Sequence, residues 1–440
     1  MKAERPSSFG EVLTFFLLVV YLVFEYVRPQ ALIPSLSLLH IPKISIGALG
    51  LLLLGSGRIK LKIPETKYFL AIILLMVFHG PIATNNYLAF WIFYGQVSYF
   101  IVYLSVIAFI KDVKKLNIYI NIWIAINLFC AFVGIKNGGI VPNSAFMGDE
   151  NDFALVMNMA VSFAYFMFLK TDSGKKKVLY LGAVCLFIAA NVVSRSRGGF
   201  VGLIPVIAYC WYKTPKKIVA TIAVVITVGA FLFVTNESYM NRLRSIKEEN
   251  IERGTGEERW YSWKIGWYMF LDHPIIGVGQ GNYPFRVSPY ESSEGLHGRS
   301  RAGRAAHSIY FTLMPELGLV GIFLFSGMLY CMYRDRRCLL KLERNVNSSS
   351  MMPDQTSFVR EFHDLNYIML GVQGALLGYL VSGIFLSVLY YPHFWILIAI
   401  TVAIRNVAEK KAGEFQAQVA EEINKSLILR QDLRKNEFNQ

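Results

Sequence analysis

Long apolar runs recur along this chain from Phe9 to Ile404, and they limit its fold more than any other feature. A helix needs about 20 mostly apolar residues to cross a bilayer, and many of the runs reach that length. A soluble chain of 440 residues would instead divide into domains joined by polar linkers. The sequence therefore predicts an all-α, polytopic integral membrane protein. We place about twelve transmembrane helices near residues 10–27, 37–55, 68–84, 88–110, 117–135, 153–169, 178–193, 198–212, 218–235, 307–332, 365–387 and 392–405.

The loops between the predicted spans indicate how the chain is oriented. Five short loops are rich in Lys and Arg, and with twelve spans all of them lie on the same side as both termini. Because cytoplasmic loops carry an excess of positive charge, we place that side in the cytoplasm. The opposite face then holds SRSRGG (194–199) and a long segment, 236–306, which we expect to contain helices and to lie on the membrane surface. The basic loops are 57–62, 111–115, 170–177, 213–217 and 334–344.

The remaining segments indicate one membrane domain and a short tail. We treat residues 1–405 as a single polytopic domain and 406–440 as a cytoplasmic tail. The tail is charged and has helical spacing of apolar residues, which is typical of a solvated or membrane-surface helix. Residues 345–364 are polar and predict a flexible connection. The first apolar run is too closely followed by others to be only a cleaved signal peptide.

The charge and the cysteines argue against several classes of protein. A net charge of +14 would suggest nucleic-acid binding in a soluble protein, but here we attribute it to the cytoplasmic loops and expect no nucleic acid. The five cysteines lack metal-type spacing, so we predict no metal and no disulfide framework, and we expect no cofactor. GVGQGNY (277–283) follows no strand, so we interpret it as a tight turn that lays the loop back on the membrane, not as a nucleotide site.

The stretch SRSRGG has the composition of an anion-binding site. Arg195 and Arg197 lie at the outer edge of the membrane, where short loops are normally poor in Arg. Gly198 and Gly199 open the next helix without side chains, so an anion could approach backbone N–H groups at the helix N-terminus. Arginine also supplies planar paired donors that suit phosphate oxygens. The alternative is that both arginines simply lie among lipid headgroups.

A second polar stretch, GDENDFA (148–154), directly precedes the sixth predicted span. Its Asp149, Asn151 and Asp152 could cap that helix, and capping with ordinary loop polarity is one interpretation. The other interpretations are pairing with the arginines of SRSRGG or hydrogen bonds to sugar hydroxyls. We single out Asp152 as a candidate for binding substrate.

Arg259 stands at the start of an aromatic helix, WYSWKIGWYMF, where a positive charge does not favour the helix dipole. A salt bridge with Glu257 or Glu258 would explain it without any function. A second contact to phosphate would explain it equally well, and the residues alone leave both interpretations open.

The last group lies in GRSRAGRAAHSIYFTLMPELGLVG (298–321). Arg299, Arg301 and Arg304 approach the outer face, and Arg304 is a candidate substrate contact. His307 stands at the first turn of the tenth span, either as a structural group or as a base that takes a proton from an attacking hydroxyl. Glu316 lies deeper in the same span, where an ionisable residue is a functional candidate by default; its partner stays open.

Three motifs, in their order along the chain, resemble the conserved domain of the bacterial O-antigen ligase and polymerase family. They are SRSRGGFVGL (194–203), GEERWYSWKIGWYMFLDHPIIGVGQGNY (256–283) and AHSIYFTLMPELGLVG (306–321). GDENDFA (148–154), and Arg28-Pro29 at the end of the first span, also look like features of this family. The motifs cover about 148–325, and the hydropathy profile extends the resemblance over nearly all of the chain. The resemblance implies a GT-C-type membrane glycosyltransferase in the bacterial inner (cytoplasmic) membrane. Such enzymes take a glycan from an undecaprenyl-diphosphate carrier at the periplasmic face.

The resemblance also implies roles for individual residues. The family arginine next to the glycines matches Arg197, with Arg195 as an addition, and the arginine before the aromatic helix matches Arg259. The family histidine matches His307. Many relatives have Asn where this chain has Ser308, so a contact made by that Asn is not carried over.

The expected reaction is an inverting, metal-independent transfer. Arg197 and Arg259 would neutralise the leaving diphosphate, and His307 would orient or deprotonate the acceptor hydroxyl on the opposite side of the anomeric carbon. The acceptor is lipid A–core in ligases, a carrier-linked glycan in polymerases and a protein hydroxyl in some relatives, and these residues do not decide among them. The alternative function is a polysaccharide transporter or flippase in the same membrane lipids, which would place charges along a central path.

Overall fold

The computed structural model describes residues 9–215, 217–218, 221, 255–292, 295–296, 298–348 and 355–438. These residues are helical, and apart from one isolated antiparallel bridge between Leu296 and Arg299 they form no strand. Shorter helical turns lie at Pro29–Leu32, Pro34–Leu39, Tyr283–Phe285, Ser288–Tyr290 and Gly383–Phe385. The long helices are α1 (Phe9–Tyr26), α2 (Ile41–Ser56), α3 (Pro64–His79), α4 (Asn86–Phe109), α5 (Val113–Lys136), α6 (Glu150–Lys170), α7 (Gly174–Val193), α8 (Arg197–Lys213), α9 (Thr255–Asp272), α10 (Tyr310–Asn347), α11 (Gln355–Ser382) and α12 (Pro392–Phe438).

Eight helices in the described part of the chain are long and apolar enough to cross a membrane, so the chain is a multi-pass membrane protein. They are α1, α2, α4, α5, α6, α7, α10 and α11. Three other predicted spans are also helical: α3 and α8 have only 16 and 17 residues, and α12 continues into the polar tail. The predicted span at 218–235 lies outside the described residues except for two positions. The number twelve therefore stays a prediction.

Helix α6 is the most enclosed span and packs against α7, α8 and α11. Small residues make this close packing feasible, because a Cβ added at Gly202 would come within 1.9 Å of the Ser382 hydroxyl oxygen. The amide of Asn158 on α6 donates to the Gly199 carbonyl at 2.8 Å and accepts from Asn191 at 2.8 Å. This buried network fixes the start of α8 relative to α6 and α7.

Polar residues of the described helices collect at two ends. At the basic end, Glu11 forms ion pairs with Arg58 at 2.7 Å and with Lys115 at 3.2 Å, which joins the loops 57–62 and 111–115. Buried Glu65 and Asp335 meet Arg405 at the same end, at 3.5 and 3.0 Å. The opposite end, which we call the site end, holds the loops that carry the predicted functional residues.

Helix α9 packs on the start of α10 through a small apolar core of its own. The Trp263 ring stacks on Phe311 with 5.2 Å between centroids, and its indole N–H donates to the Ala306 carbonyl at 3.1 Å. The hydroxyl of Tyr283 donates to the Ser262 carbonyl at 2.7 Å. The chain after α9 is thereby held against both helices, and the core comprises Ile265, Met269, Val278, Tyr283, Val287 and Ala306.

The glycine-rich stretch 277–283 docks into a break in α10. Gly318 has a left-handed backbone (φ 62°), and a Cβ there would come within 2.4 Å of the Ile275 carbonyl oxygen. Glu316 accepts hydrogen bonds from the backbone N–H groups of Gly281 and Tyr283 at 2.7 and 3.1 Å. The predicted tight turn is confirmed, since Gly277, Gly279 and Gly281 all have positive φ.

Candidate active site

A cavity of about 410 Å³, which we call the main cavity, opens at the site end where four separate segments meet. Three of the predicted residues, Asp152, Arg259 and His307, line it together. They come from the start of α6, the start of α9 and the connection into α10, so the fold brings together positions that are far apart in sequence. The complete lining is Asp149, Asn151, Asp152, Glu258, Arg259, Arg301, Ala305, His307, Leu386, Ser387 and Tyr391.

The first turn of α6 supplies one wall of the main cavity. Asp149 caps this helix, because its carboxylate accepts from the backbone N–H of Asn151 at 2.8 Å, so the predicted capping is confirmed. Asp152 does not cap; it accepts a hydrogen bond from the Tyr391 hydroxyl at 2.9 Å. Asn151 accepts from the Ser196 hydroxyl at 2.6 Å, which ties this wall to the SRSRGG stretch.

The facing wall comes from α9 and the segment before α10. The Arg259 guanidinium lies over the Phe385 ring, 5.5 Å from its centroid. Glu258, one of the two partners predicted for Arg259, forms an ion pair with Arg301 at 2.9 Å. Arg301 is only 4% exposed, and its Nε has no hydrogen-bond partner in the part of the chain that the structure describes. A buried guanidinium with a free donor at a cavity wall is suited to an anionic ligand.

His307 lies at the point where the loop turns into α10. It has a left-handed backbone (φ 50°), an uncommon conformation for a residue other than glycine that is often found at functional sites. The next residues hold it in place, because the backbone N–H of Ile309 donates to the Gly383 carbonyl at 2.8 Å. Ser308 is buried, and its hydroxyl accepts from the Phe311 N–H at 3.5 Å.

The surroundings of His307 favour its neutral form. Partial removal of water lowers the pKa of His307 below its ordinary value of 6.5, and the positive charges of Arg259 and Arg301 lower that pKa further. Asp149 and Glu258 oppose the shift without reversing it. A neutral imidazole at neutral pH has a free acceptor nitrogen, as a general base requires.

Arg197 and Arg195 lie beside the main cavity and not in its lining. Arg197 is the first residue of α8, which is capped by the Ser196 hydroxyl accepting from the Gly199 N–H at 2.8 Å. A Cβ at Gly198 would touch Phe385 at 3.4 Å, so Arg197 enters α8 next to the ring that Arg259 covers. Arg195 is exposed and has a left-handed backbone (φ 52°).

The structure places the other two candidates away from the main cavity. Arg304 is exposed on the connecting loop and does not contribute to the lining. The carboxylate of Glu316 is buried, and besides its two backbone donors it accepts from the Tyr390 hydroxyl at 2.6 Å. Through these contacts Glu316 stabilises the 277–283 turn. Its partners, which the sequence left open, are the backbone of that turn and Tyr390.

Several residues of this site were missed from sequence. Tyr391 and Ser387 lie in the short aromatic connection between α11 and α12, which looks like a plain loop between spans. Arg301 was one of three similar arginines before α10, and only its burial against Glu258 distinguishes it. Asn158 carries a weak signal in the sequence, because an amide inside an apolar span must find a partner. Among the described residues, no group of three His, Cys, Asp or Glu side chains could hold a metal ion.

Comparison with known proteins gives one match. Residues 181–326 match the family model described as O-antigen ligase, which confirms the resemblance of the motifs. The matched range contains Arg197, Arg259 and His307, and it begins after Asp152. No curated protein matches the chain.

Proposed function

We propose that this chain, whose residues 181–326 match the O-antigen ligase family model, is an inverting membrane glycosyltransferase. It would move a glycan from an undecaprenyl-diphosphate carrier to an acceptor hydroxyl. The observation that carries the proposal is the convergence of Asp152, Arg259 and His307 on one cavity from three separate segments. Cationic groups for a leaving diphosphate and a neutral base for a hydroxyl are the two components that such a transfer needs.

The leaving diphosphate is assigned to the side of the main cavity formed by α8 and α9. Arg259 lines this side, and Arg197 enters α8 beside the Phe385 ring that Arg259 covers. The backbone N–H groups at the start of α8 add favourable dipoles. Arg301 adds a buried positive charge to the lining. These groups offset the negative charge that grows on the phosphate oxygen as the bond from the anomeric carbon breaks.

His307 is assigned to the acceptor hydroxyl. Its neutral imidazole takes the hydroxyl proton while the acceptor oxygen bonds to the anomeric carbon. The carrier diphosphate leaves with the electron pair of the broken C–O bond, so the configuration at the anomeric carbon inverts. Asp152 and Asn151 lie on the opposite wall, where they are positioned to form hydrogen bonds with sugar hydroxyls. No metal and no cofactor enters this mechanism.

The proposed setting is the bacterial inner membrane, with both termini in the cytoplasm and the main cavity on the periplasmic side. The segregation of charge supports this orientation, because described basic loops and their acidic partners gather at the end opposite the main cavity. The exposed side chains of Trp260, Trp267 and Leu271 on α9 support an interfacial position for that helix. The acceptor is lipid A–core or a carrier-linked glycan, and no nucleic acid is involved.

The test is transfer by purified protein in lipid discs, with a defined diphosphate-linked oligosaccharide and either acceptor. Arg259→Ala and His307→Ala should each lower kcat by about a hundredfold or more, as removal of charge-stabilising or acid–base groups does. Lys136→Gln, an exposed change at the same end, serves as the control. Wild-type rates in both alanine variants, with normal folding, would refute the assignment of these residues.

A further inference from the structure

We propose a second substrate site, in which Arg28 and Lys43 bind the phosphate of a lipid-linked acceptor. The site is a cavity of about 240 Å³ between the end of α1 and the starts of α2 and α4, and we call it the lateral cavity. This inference rests on the proposed transferase function and adds the anchoring point of the second substrate. The lateral cavity shares no lining residue with the main cavity.

The two cations of the lateral cavity lack a close ion pair, although Arg28 interacts electrostatically with the Glu25 carboxylate in the same lining. Among the described residues, neither Arg28 nor Lys43 forms an ion pair within 4.0 Å, although Arg301 and Arg58 do. One guanidinium nitrogen of Arg28 donates to the Asn143 carbonyl at 2.8 Å, which aims the group and leaves its other donors available. At the membrane surface such cations attract negative groups, and a lipid phosphate is the negative group at hand there.

Two further features indicate a preformed site. Arg28 has a left-handed backbone (φ 52°), a strained conformation for a side-chain-bearing residue that the surrounding fold must maintain. The amide oxygen of Gln30, another lining residue, is buried without a hydrogen-bond partner among the described residues. The one lining carboxylate, Glu25, accepts from the Tyr99 hydroxyl at 3.2 Å, so the cations outnumber it. A ligand with both negative oxygens and hydroxyls would satisfy these groups.

The surroundings of the lateral cavity place it at the depth of lipid headgroups. The first turns of α4 expose Tyr87, Phe90, Trp91 and Tyr94, and the Lys43 ammonium lies 5.9 Å from the centroid of the Trp91 ring. Such aromatic belts are typical of the interface between bilayer and water. The neighbouring Leu38 is 80% exposed, as a lipid-facing residue would be. A ligand therefore enters from the bilayer, as a lipid does.

One aromatic wall separates the lateral cavity from the main cavity. Phe146 lines the lateral cavity, and its ring lies 5.0 Å from that of Tyr391 between centroids. Tyr391 lines the main cavity and holds Asp152. A lipid whose phosphate lies against Arg28 could thus extend its glycan into the main cavity past Asp152. The donor diphosphate is assigned to α8 and α9, so the lateral cavity suits the acceptor.

The experiment separates the two substrates kinetically. Arg28→Gln/Lys43→Gln in the full chain is compared with Lys136→Gln/Lys264→Gln, which removes two exposed positive charges at the same end but from neither cavity. The acceptor is the phosphate-bearing one that the wild type uses, lipid A–core or carrier-linked glycan. We expect the acceptor KM to rise about tenfold or more, with the donor KM and kcat retained. Arg28→Lys/Lys43→Arg should restore the acceptor KM.

Binding is read independently by native mass spectrometry of wild-type protein with the acceptor lipid alone, in which no transfer occurs. The Gln double variant should lose the bound lipid, and inorganic phosphate should not displace it from the wild type. Retained acceptor binding, a rise in donor KM instead, equal binding of bulk phospholipid, or displacement by inorganic phosphate would each overturn the proposal. Transfer to protein hydroxyls alone would also overturn the proposed acceptor site, but it would be compatible with the proposed transferase function. No transfer to any acceptor would refute the proposed function itself.

Discussion

At the scale of single residues, the central feature is the charge environment of His307. Two cations, Arg259 and Arg301, lie near enough to lower its pKa, and Glu258 acts in the opposite sense. Because Glu258 also forms an ion pair with Arg301, each member of that pair modifies the effect of the other. The lowered pKa of His307 favours its neutral imidazole beside groups suited to bind phosphate, which is the combination that the proposed reaction uses.

This environment predicts opposite shifts in the pH profile for two variants. A base with a lowered pKa loses activity only as pH falls below 6.5, when its acceptor nitrogen becomes protonated. Arg301→Gln removes a positive charge, raises the pKa of His307 and should move the acidic limb of kcat/KM to higher pH. Glu258→Gln removes a negative charge and should move it to lower pH. Shifts in the same direction would argue against His307 as the titrating base.

Two adjacent tyrosines allow structure and activity to be separated. Tyr390→Phe leaves buried Glu316 without one donor, and we expect a loss of stability of about 1–3 kcal/mol with little change in kcat/KM. Tyr391→Phe frees Asp152 in the main cavity, and we expect kcat/KM to fall about tenfold with a smaller loss of stability. Thermal unfolding in detergent and transfer rates measure the two effects. Indistinguishable variants would contradict the division of roles.

At the scale of elements, the break in α10 receives the turn that follows α9. Backbone hydrogen bonds run between the two, from Val278 to the Pro315 carbonyl at 2.9 Å and from Leu319 to the Pro274 carbonyl at 2.7 Å. The Nε2–H of His79, at the end of α3, donates to the Ile276 carbonyl at 2.8 Å, and its Nδ1 lies 3.1 Å from the Gln280 amide oxygen. These contacts dock the same turn from the other side. The loop that carries Arg301 and His307 starts from this anchored turn.

The break predicts a strong effect of one methyl group. Gly318→Ala would place a Cβ within 2.4 Å of the Ile275 carbonyl oxygen on a left-handed backbone, and we expect a loss of about 1–3 kcal/mol. Gly47→Ala in α2, where a Cβ meets nothing within 4 Å, is the matched control and should not destabilise. Both are compared by thermal unfolding in the same detergent. Equal melting temperatures would show that the turn does not depend on the break.

At the scale of the whole molecule, the sequence predicts the helices better than the site. Apolar length alone locates the predicted spans, since crossing a bilayer demands it. The order of the motifs indicates the resemblance to the O-antigen ligase family, whose model matches residues 181–326. Asp152, Arg259 and His307, which the structure brings to one cavity, could be singled out because their residue types are unusual where they stand. Tyr391 and Arg301 are not found, because their significance depends on long-range contacts. For Glu316 the reverse holds. An ionisable residue in a span is conspicuous in the sequence, but in the structure its carboxylate accepts hydrogen bonds from the backbone of the 277–283 turn and stabilises that turn.

The segregation of charge predicts a sided pattern of labelling. Asn137, exposed at the site end, should react as Asn137→Cys with a membrane-impermeant maleimide added to intact spheroplasts. The native Cys338, at the basic end, should react only after the membrane is permeabilised. Mass spectrometry of the labelled peptides measures both positions in one sample. Labelling of Cys338 before permeabilisation, without Asn137→Cys, would reverse the proposed orientation.

The most direct test of the central claim is the stoichiometry of transfer by the purified chain. With a defined undecaprenyl-diphosphate oligosaccharide and a lipid acceptor, we predict one released carrier diphosphate for each glycosylated acceptor. The new bond should have an inverted anomeric configuration, read by mass spectrometry and NMR. Movement of the intact donor across the bilayer, with no carrier diphosphate released under any condition, would contradict the account and indicate a transporter.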